Sequence, residues 1–89
     1  MKPEPELRRD IQQGDHAKRI LDDPLIKEAI DGMRTTVFHN IQTSHYSKVE
    51  EREDLYKMLR AIDQFEKEFK RRIQGGTKAK SLLERLLNK

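Results

Sequence analysis

The stretch from Leu55 to Ile73 constrains the fold of this chain more than any other part of the sequence. Its large apolar residues recur in steps of three or four positions, at Leu55, Met58, Ile62, Phe65, Phe69 and Ile73. A helix places residues at this spacing on one side, whereas a strand would alternate them between its two faces. The spacing therefore predicts a long amphipathic helix with a coiled-coil-like apolar stripe.

The composition indicates that the chain has little material for a core of its own. Of 89 residues, 34% are hydrophobic and 39% are charged, and the aromatic residues are two Tyr and three Phe. A chain of this size is one domain at most, and its core is only marginally able to hold a fold together. Because association with another copy supplies the missing buried area, we expect a homo-oligomer.

Signals for helix ends predict an all-α fold built on an antiparallel helical hairpin. Asp23 precedes a proline, which is a favourable start for a helix over about 24–42. Residues 42–47 lack the helical spacing of apolar residues and are predicted to form a turn. Ser47 at the end of this turn matches the start of a capping box. A second helix is expected over about 48–74, and a short connection makes the two arms antiparallel.

Shorter helices are expected to flank the hairpin at both ends. Residues 1–6 contain two prolines and are predicted to form a flexible leader, ahead of a single helical domain over 7–89. Gly14 is expected to separate two short N-terminal helices. Gly75 and Gly76 are expected to end the long helix, because glycine readily takes the left-handed conformation of a C-cap.

The apolar stripe and the leucine-rich C-terminus are the predicted partner-binding surface. A double-leucine helix after a glycine pair is a common form of docking peptide, although it can equally fold back onto its own hairpin. The residues expected to contact a partner are Leu55, Met58, Ile62, Phe65, Phe69, Leu82, Leu83, Leu86 and Leu87.

A basic cluster near the end of the long helix is the alternative binding surface. Its members are Lys67, Lys70, Arg71, Arg72, Lys78 and Lys80. The net charge of +3 and a pI near 9.3 are compatible with nucleic acid as a partner. The cluster equally suits the C-terminus of a helix and acidic neighbours at Asp22 and Asp23.

No pattern of residues predicts catalysis, a cofactor or a metal. The chain has no Cys, and His16, His39 and His45 do not have the spacing of a helical metal site. The clustered carboxylates after Ser47 suit a helix N-terminus, and no pocket is predicted around them. We therefore expect neither an enzyme nor a small-molecule substrate, and no apolar run reaches membrane-spanning length.

Three runs carry a resemblance to a known family. AKRILDDPLIKEAID, EEREDLYKMLRAID and IQGGTKA resemble short helical-hairpin proteins of tailed bacteriophages, over about residues 17–79. The matching positions are Leu21, Asp23, Pro24, Glu28, Ala29, Glu51, Arg52, Glu53, Leu55, Tyr56, Leu59, Gly75 and Ala79. The sequence departs from the family where a Trp is common on the first arm, since Phe38 stands in that neighbourhood. The leucine-rich tail is a second departure.

The resemblance implies an accessory or structural protein of the virion. Genes of this family are often found near head and packaging genes, so the expected role is head assembly through self-association or docking on a larger virion component. The expected location is the virion or the host cytoplasm. A nucleic-acid-associated packaging protein and a small inhibitor of a host enzyme remain the alternatives.

Overall fold

The computed structural model describes residues 2–88, and this part of the chain forms three helices and no strand. Helix α1 spans Glu4–Asp22, α2 spans Pro24–Thr43 and α3 spans Val49–Leu87. The predicted all-α class is therefore confirmed.

Helices α1 and α2 lie one after the other along α3, and both run antiparallel to it. Near the start of α1, Leu7 packs with Leu83 close to the end of α3. Further along α2, Arg34 reaches Asp63 in the first half of α3. Helix α1 therefore covers the C-terminal half of α3, and α2 covers its N-terminal half.

The molecule is elongated. Its radius of gyration is 18.8 Å and its dimensions are 65 × 27 × 14 Å, whereas a compact chain of this length would have a radius of gyration of about 12 Å. Few large side chains are enclosed as a result. The buried hydrophobic residues of the described part are Leu7, Ala17, Ile30, Val37, Ala79 and Leu83.

The break between α1 and α2 follows the local sequence. The Asp23 side chain accepts a hydrogen bond from the backbone N–H of Leu25 at 2.8 Å, and Pro24 occupies the first turn of α2. This bond satisfies one of the free N–H groups at the helix start. The predicted helix start at Asp23 is confirmed.

The predicted helix end at Gly75 and Gly76 is wrong. Helix α3 continues through both residues to Leu87, and no described glycine has a positive φ. A Cβ built on Gly76 would lie 3.1 Å from the carbonyl oxygen of Asp10 and 3.1 Å from the Cα of Gly14. Gly76 is therefore a site of close helix approach, and the expected C-terminal helix is the last part of α3.

The predicted break at Gly14 is also wrong, because α1 is continuous from Glu4 to Asp22. A Cβ on Gly14 would lie 2.9 Å from the carbonyl oxygen of Arg72, so this glycine lets the backbones of α1 and α3 meet. Helix α1 begins inside the segment predicted as a leader. Lys2 pairs with Asp10 at 2.7 Å across its first turns.

The connection between α2 and α3 spans residues 44–48. The expected capping box at Ser47 is not formed, because Lys48 is the N-cap and makes no side-chain bond. The Ser47 hydroxyl instead lies 2.6 Å from Nδ1 of His45. Arg52 donates to the carbonyl oxygens of His45 and Tyr46 at 2.7 and 2.8 Å, which ties the connection to α3.

Candidate protein-protein interface

One side of the α2–α3 pair carries an open apolar groove of about 480 Å³. Its lining residues are Gly32, Met33, Thr36, Val37, Met58, Ala61 and Ile62. Phe65 lies two helical turns beyond Met58 on the same side of α3. We call the exposed residues of this side the apolar face, and they are Gly32, Met33, Thr36, Met58, Ala61 and Phe65.

The large side chains of the apolar face are substantially exposed. The exposed fraction is 45% for Met33, 52% for Met58 and 51% for Phe65. Phe65 packs edge-on against Phe69, with ring centroids 5.1 Å apart, so its ring is held in place while one side stays open. The apolar face is therefore a candidate interaction site.

Helix α3 carries two stripes at coiled-coil spacing, of which one packs on α1 and α2 and the other is largely exposed. The packing stripe is buried or half-buried against α1 and α2, and its members are Leu55, Leu59, Ile62, Glu66, Phe69, Ile73 and Gly76. The second stripe is exposed except for half-buried Glu68, and its members are Glu51, Asp54, Met58, Ala61, Phe65, Glu68 and Arg72. Two such stripes are typical of a helix with neighbours on two sides.

The opposite side of the α2–α3 pair is charged and internally paired. Arg34 lies 2.9 Å from a carboxylate oxygen of Asp63 and 3.4 Å from one of Glu66, and Lys70 reaches Glu66 at 3.1 Å. Hydrogen bonds from Lys70 and then from Arg34 hold the pKa of Glu66 below its usual value. We call these four residues the charged side. Its charges are paired within the chain, whereas the large side chains of the apolar face are exposed.

Charges of opposite sign lie at the two ends of the second stripe. Glu51 and Asp54 line a depression together with Asn40 and Thr43, at the end near the α2–α3 connection. At the other end, Arg72 approaches the side-chain oxygen of Gln13 at 3.5 Å and remains exposed. The apolar centre is therefore bordered by an acidic end and by an end that carries Arg72 and Glu68, of which Glu68 is paired with Arg71 at 3.0 Å.

The residues of the apolar stripe that were predicted to contact a partner fall into two groups, one half-buried and one exposed. Leu55, Ile62 and Phe69 are half-buried against the other helices of the same chain, whereas Met58 and Phe65 are exposed. The stripe predicted as one surface is thus two adjacent surfaces. Met33 and Thr36 of α2 complete the exposed one, and the apolar period of α3 gives no signal for them.

The C-terminal leucines are divided in the same way. Leu83 is 8% exposed and forms a buried cluster with Leu7 and Ala79, against which Leu86 also packs. Leu82 and Leu87 remain 37% and 62% exposed. Folding back onto the chain, one of the two alternatives open for this segment, accounts for Leu83 and Leu86.

The predicted basic cluster is distributed around α3. Lys70 pairs with Glu66 at 3.1 Å, Arg71 pairs with Glu68 at 3.0 Å, and Arg72 lies on the second stripe. The other lysines of the cluster, Lys67, Lys78 and Lys80, are exposed. The suggested acidic neighbour Asp22 is engaged instead with Lys18, at 2.6 Å.

Residues 2–88 contain no group of three His, Cys, Asp or Glu side chains that could hold a metal ion. Within the same residues, no helix combines the length and apolar character needed to cross a membrane.

Comparison with known proteins gave no match among protein-family models, curated proteins or solved structures.

Proposed function

We propose that this protein acts without catalysis, by binding other protein chains through the apolar face. The observation that carries the proposal is the second stripe of α3, whose apolar members Met58, Ala61 and Phe65 are exposed at the open side of the α2–α3 pair. Met58 and Phe65, each about half exposed, form its centre. A partner that covers them would gain about 25 cal/mol of stabilisation for each Å² of apolar surface removed from water.

The resemblance to helical-hairpin proteins of tailed bacteriophages supports a more specific role. We propose an antiparallel hairpin that serves as an accessory or structural component of virion head assembly and docks on copies of itself or on a larger virion protein. An open apolar side suits this role, because an assembly component must bury its surface on another chain. The internally paired charged side favours an exposed position in that assembly.

Two phenylalanines of equal exposure allow a controlled test. Phe65 lies on the apolar face and Phe38 lies one helical turn from Arg34 on the charged side, and each is 51% exposed. We expect Phe65→Glu to lower the sedimentation-derived mass to that of one chain, because the carboxylate would be buried without a partner. Phe38→Glu should leave the mass unchanged. If the wild type assembles, equal behaviour of the two variants would contradict an interface at the apolar face.

Nucleic-acid binding is a second candidate because of one feature of α3. Its outer edge carries basic residues at steps of four or seven positions, at Arg60, Lys67, Arg71, Lys78 and Arg85, all of them exposed. Such a row matches a phosphate backbone without reading its sequence.

The two candidates differ in their dependence on salt. Binding to duplex DNA through the outer edge should weaken steeply between 50 and 200 mM salt, on the order of tenfold or more for a few phosphate contacts. The double variant Lys67→Glu and Lys78→Glu should abolish it, whereas Lys70→Glu, on the charged side, should have little effect. Binding that does not respond to either salt or the double variant would exclude this candidate.

A further inference from the structure

We propose that the partner on the apolar face is a second copy of this chain, packed antiparallel with the second stripe of α3 against its counterpart. This inference rests on the proposed function and specifies its partner. The contact is isologous, so a twofold axis crosses α3 at the centre of the stripe and each copy presents the same surface to the other.

The distribution of charge selects the antiparallel direction. Glu51 and Asp54 lie at one end of the second stripe and Arg72 lies at the other. An antiparallel copy places Glu51 against Arg72 of the other copy, whereas a parallel copy would gather both acidic ends together. Glu68 also lies near the Arg72 end, and Arg71 of the same chain pairs with it at 3.0 Å. Complementary charge fixes direction and register at an interface even where it adds little affinity.

The spacing along α3 gives one position for the twofold axis. The midpoint between Glu51 and Arg72 falls between Ala61 and Ile62, and the midpoint between Met58 and Phe65 falls at the same place. One register therefore brings opposite charges together and places each Met58 near the Phe65 ring of the other copy. Contacts between a methionine sulfur and an aromatic ring are favourable. Ala61, a small residue, lies at the axis, where the helices approach most closely.

Helix α2 extends the same interface and supplies enough area for a stable dimer. Met33 and Thr36 lie beside Met58 and Ala61 across the groove, and Gly32 adds open space with no atom within 4 Å of a built Cβ. Two neighbouring helices of α2 length present a surface of about 30 by 20 Å. Its area of about 600 Å² is at the lower end of the range of about 600 to 1,000 Å² that each partner contributes to a standard interface.

The absence of cysteine from the chain permits a direct test by disulfide cross-linking. Ala61→Cys should form a covalent dimer on mild oxidation, because the two Ala61 positions meet at the axis. Lys67→Cys, exposed on the outer edge of α3, is the matched control and should stay uncross-linked.

Glu51→Cys alone should also fail to cross-link, because the two copies of residue 51 would lie about 30 Å apart along antiparallel helices. An equimolar, refolded mixture of Glu51→Cys and Arg72→Cys should give the mixed disulfide dimer.

The outcomes separate this inference from the proposed function. Cross-linking of Glu51→Cys to itself, in a protein whose assembly is lost in Phe65→Glu, would overturn the antiparallel arrangement and keep the apolar face as a binding surface. A single-chain mass at every concentration would also overturn the second copy as partner. Assembly that persists unchanged in Phe65→Glu would overturn both.

Discussion

At the scale of single residues, Gly14 is the position where a small change has the clearest consequence. A Cβ there would lie 2.9 Å from the carbonyl oxygen of Arg72 and 3.0 Å from the Cα of Gly76, and neither backbone atom can move without shifting a helix. We expect Gly14→Ala to destabilise the protein by about 1 to 2 kcal/mol, because overpacking outweighs the gain in helix propensity. The free energy of unfolding in urea measures this change, and a stabilised variant would contradict the close contact.

Gly75 provides the matched control in the same helix. A Cβ built on it would meet no atom of another helix within 4 Å, and the residue is helical. Gly75→Ala should therefore stabilise the protein by up to about 1 kcal/mol, measured in the same urea titration. If the glycine pair instead ended the helix in a left-handed conformation, the same substitution would be destabilising.

Glu66 links the charged side to the pH dependence of stability. Lys70 and Arg34 lower the pKa of its carboxyl group from the ordinary value of 4.5. A carboxyl group with a lowered folded-state pKa contributes stability above its ordinary pKa, and this contribution is lost as the pH falls through the lowered value. We expect Glu66→Gln to reduce the free energy of unfolding at pH 7 and to make it fall less between pH 7 and pH 3.

Glu53 is a suitable control for this experiment, because it is exposed and makes no ion pair within the described residues. Glu53→Gln should leave the pH dependence close to that of the wild type. A Glu66→Gln profile that matches the wild-type profile would show that the bonds to Lys70 and Arg34 do not contribute to folding.

At the scale of elements, the end of α3 holds the start of α1. Leu83 is 8% exposed and packs on Leu7, whereas Leu87 is 62% exposed. We expect Leu83→Ala to cost about 2 to 3 kcal/mol through the lost burial and the cavity, and Leu87→Ala to cost little. Hydrogen exchange should show faster exchange of α1 amides in Leu83→Ala, while α2 amides are unaffected. Equal protection of α1 in the two variants would contradict this packing.

Helix boundaries could be predicted from the sequence where local residues set them. Asp23 caps α2 with its own side chain, and a proline follows it. The sequence signal for the helix start and the contacts that form it therefore involve the same neighbouring residues. Gly14 and Gly76 gave the wrong prediction, because a glycine that ends a helix and a glycine that admits a neighbouring helix are identical in a single sequence. The difference depends on a contact between residues far apart in the chain.

The residues of the candidate interface could likewise be predicted from the sequence only in part. The period of α3 selected Met58 and Phe65, which are exposed at the apolar face. It could not separate them from Leu55 and Ile62, because two stripes about one quarter-turn apart merge into one broad apolar pattern. Met33 of α2 was missed because its place beside Met58 depends on the register of the two helices.

At the scale of the whole molecule, length and thinness are the properties that bear on function. A chain with a radius of gyration of 18.8 Å and a thinnest dimension of 14 Å encloses few side chains, so a second layer of helices would complete its core. Two copies packed through their apolar faces, as proposed above, would form such a layered bundle. The second copy would cover Met58 and Phe65, and each charged side would face outwards.

The most direct measurement of this account is the solution mass by light scattering at low and at high salt. The account predicts a mass of twice that of one chain in both conditions, because burial of the apolar face drives association and salt does not weaken it. Screening of Glu51 and Arg72 should change the association constant only modestly. A mass of 10.6 kDa, that of one chain, at every concentration and in both salts would contradict it.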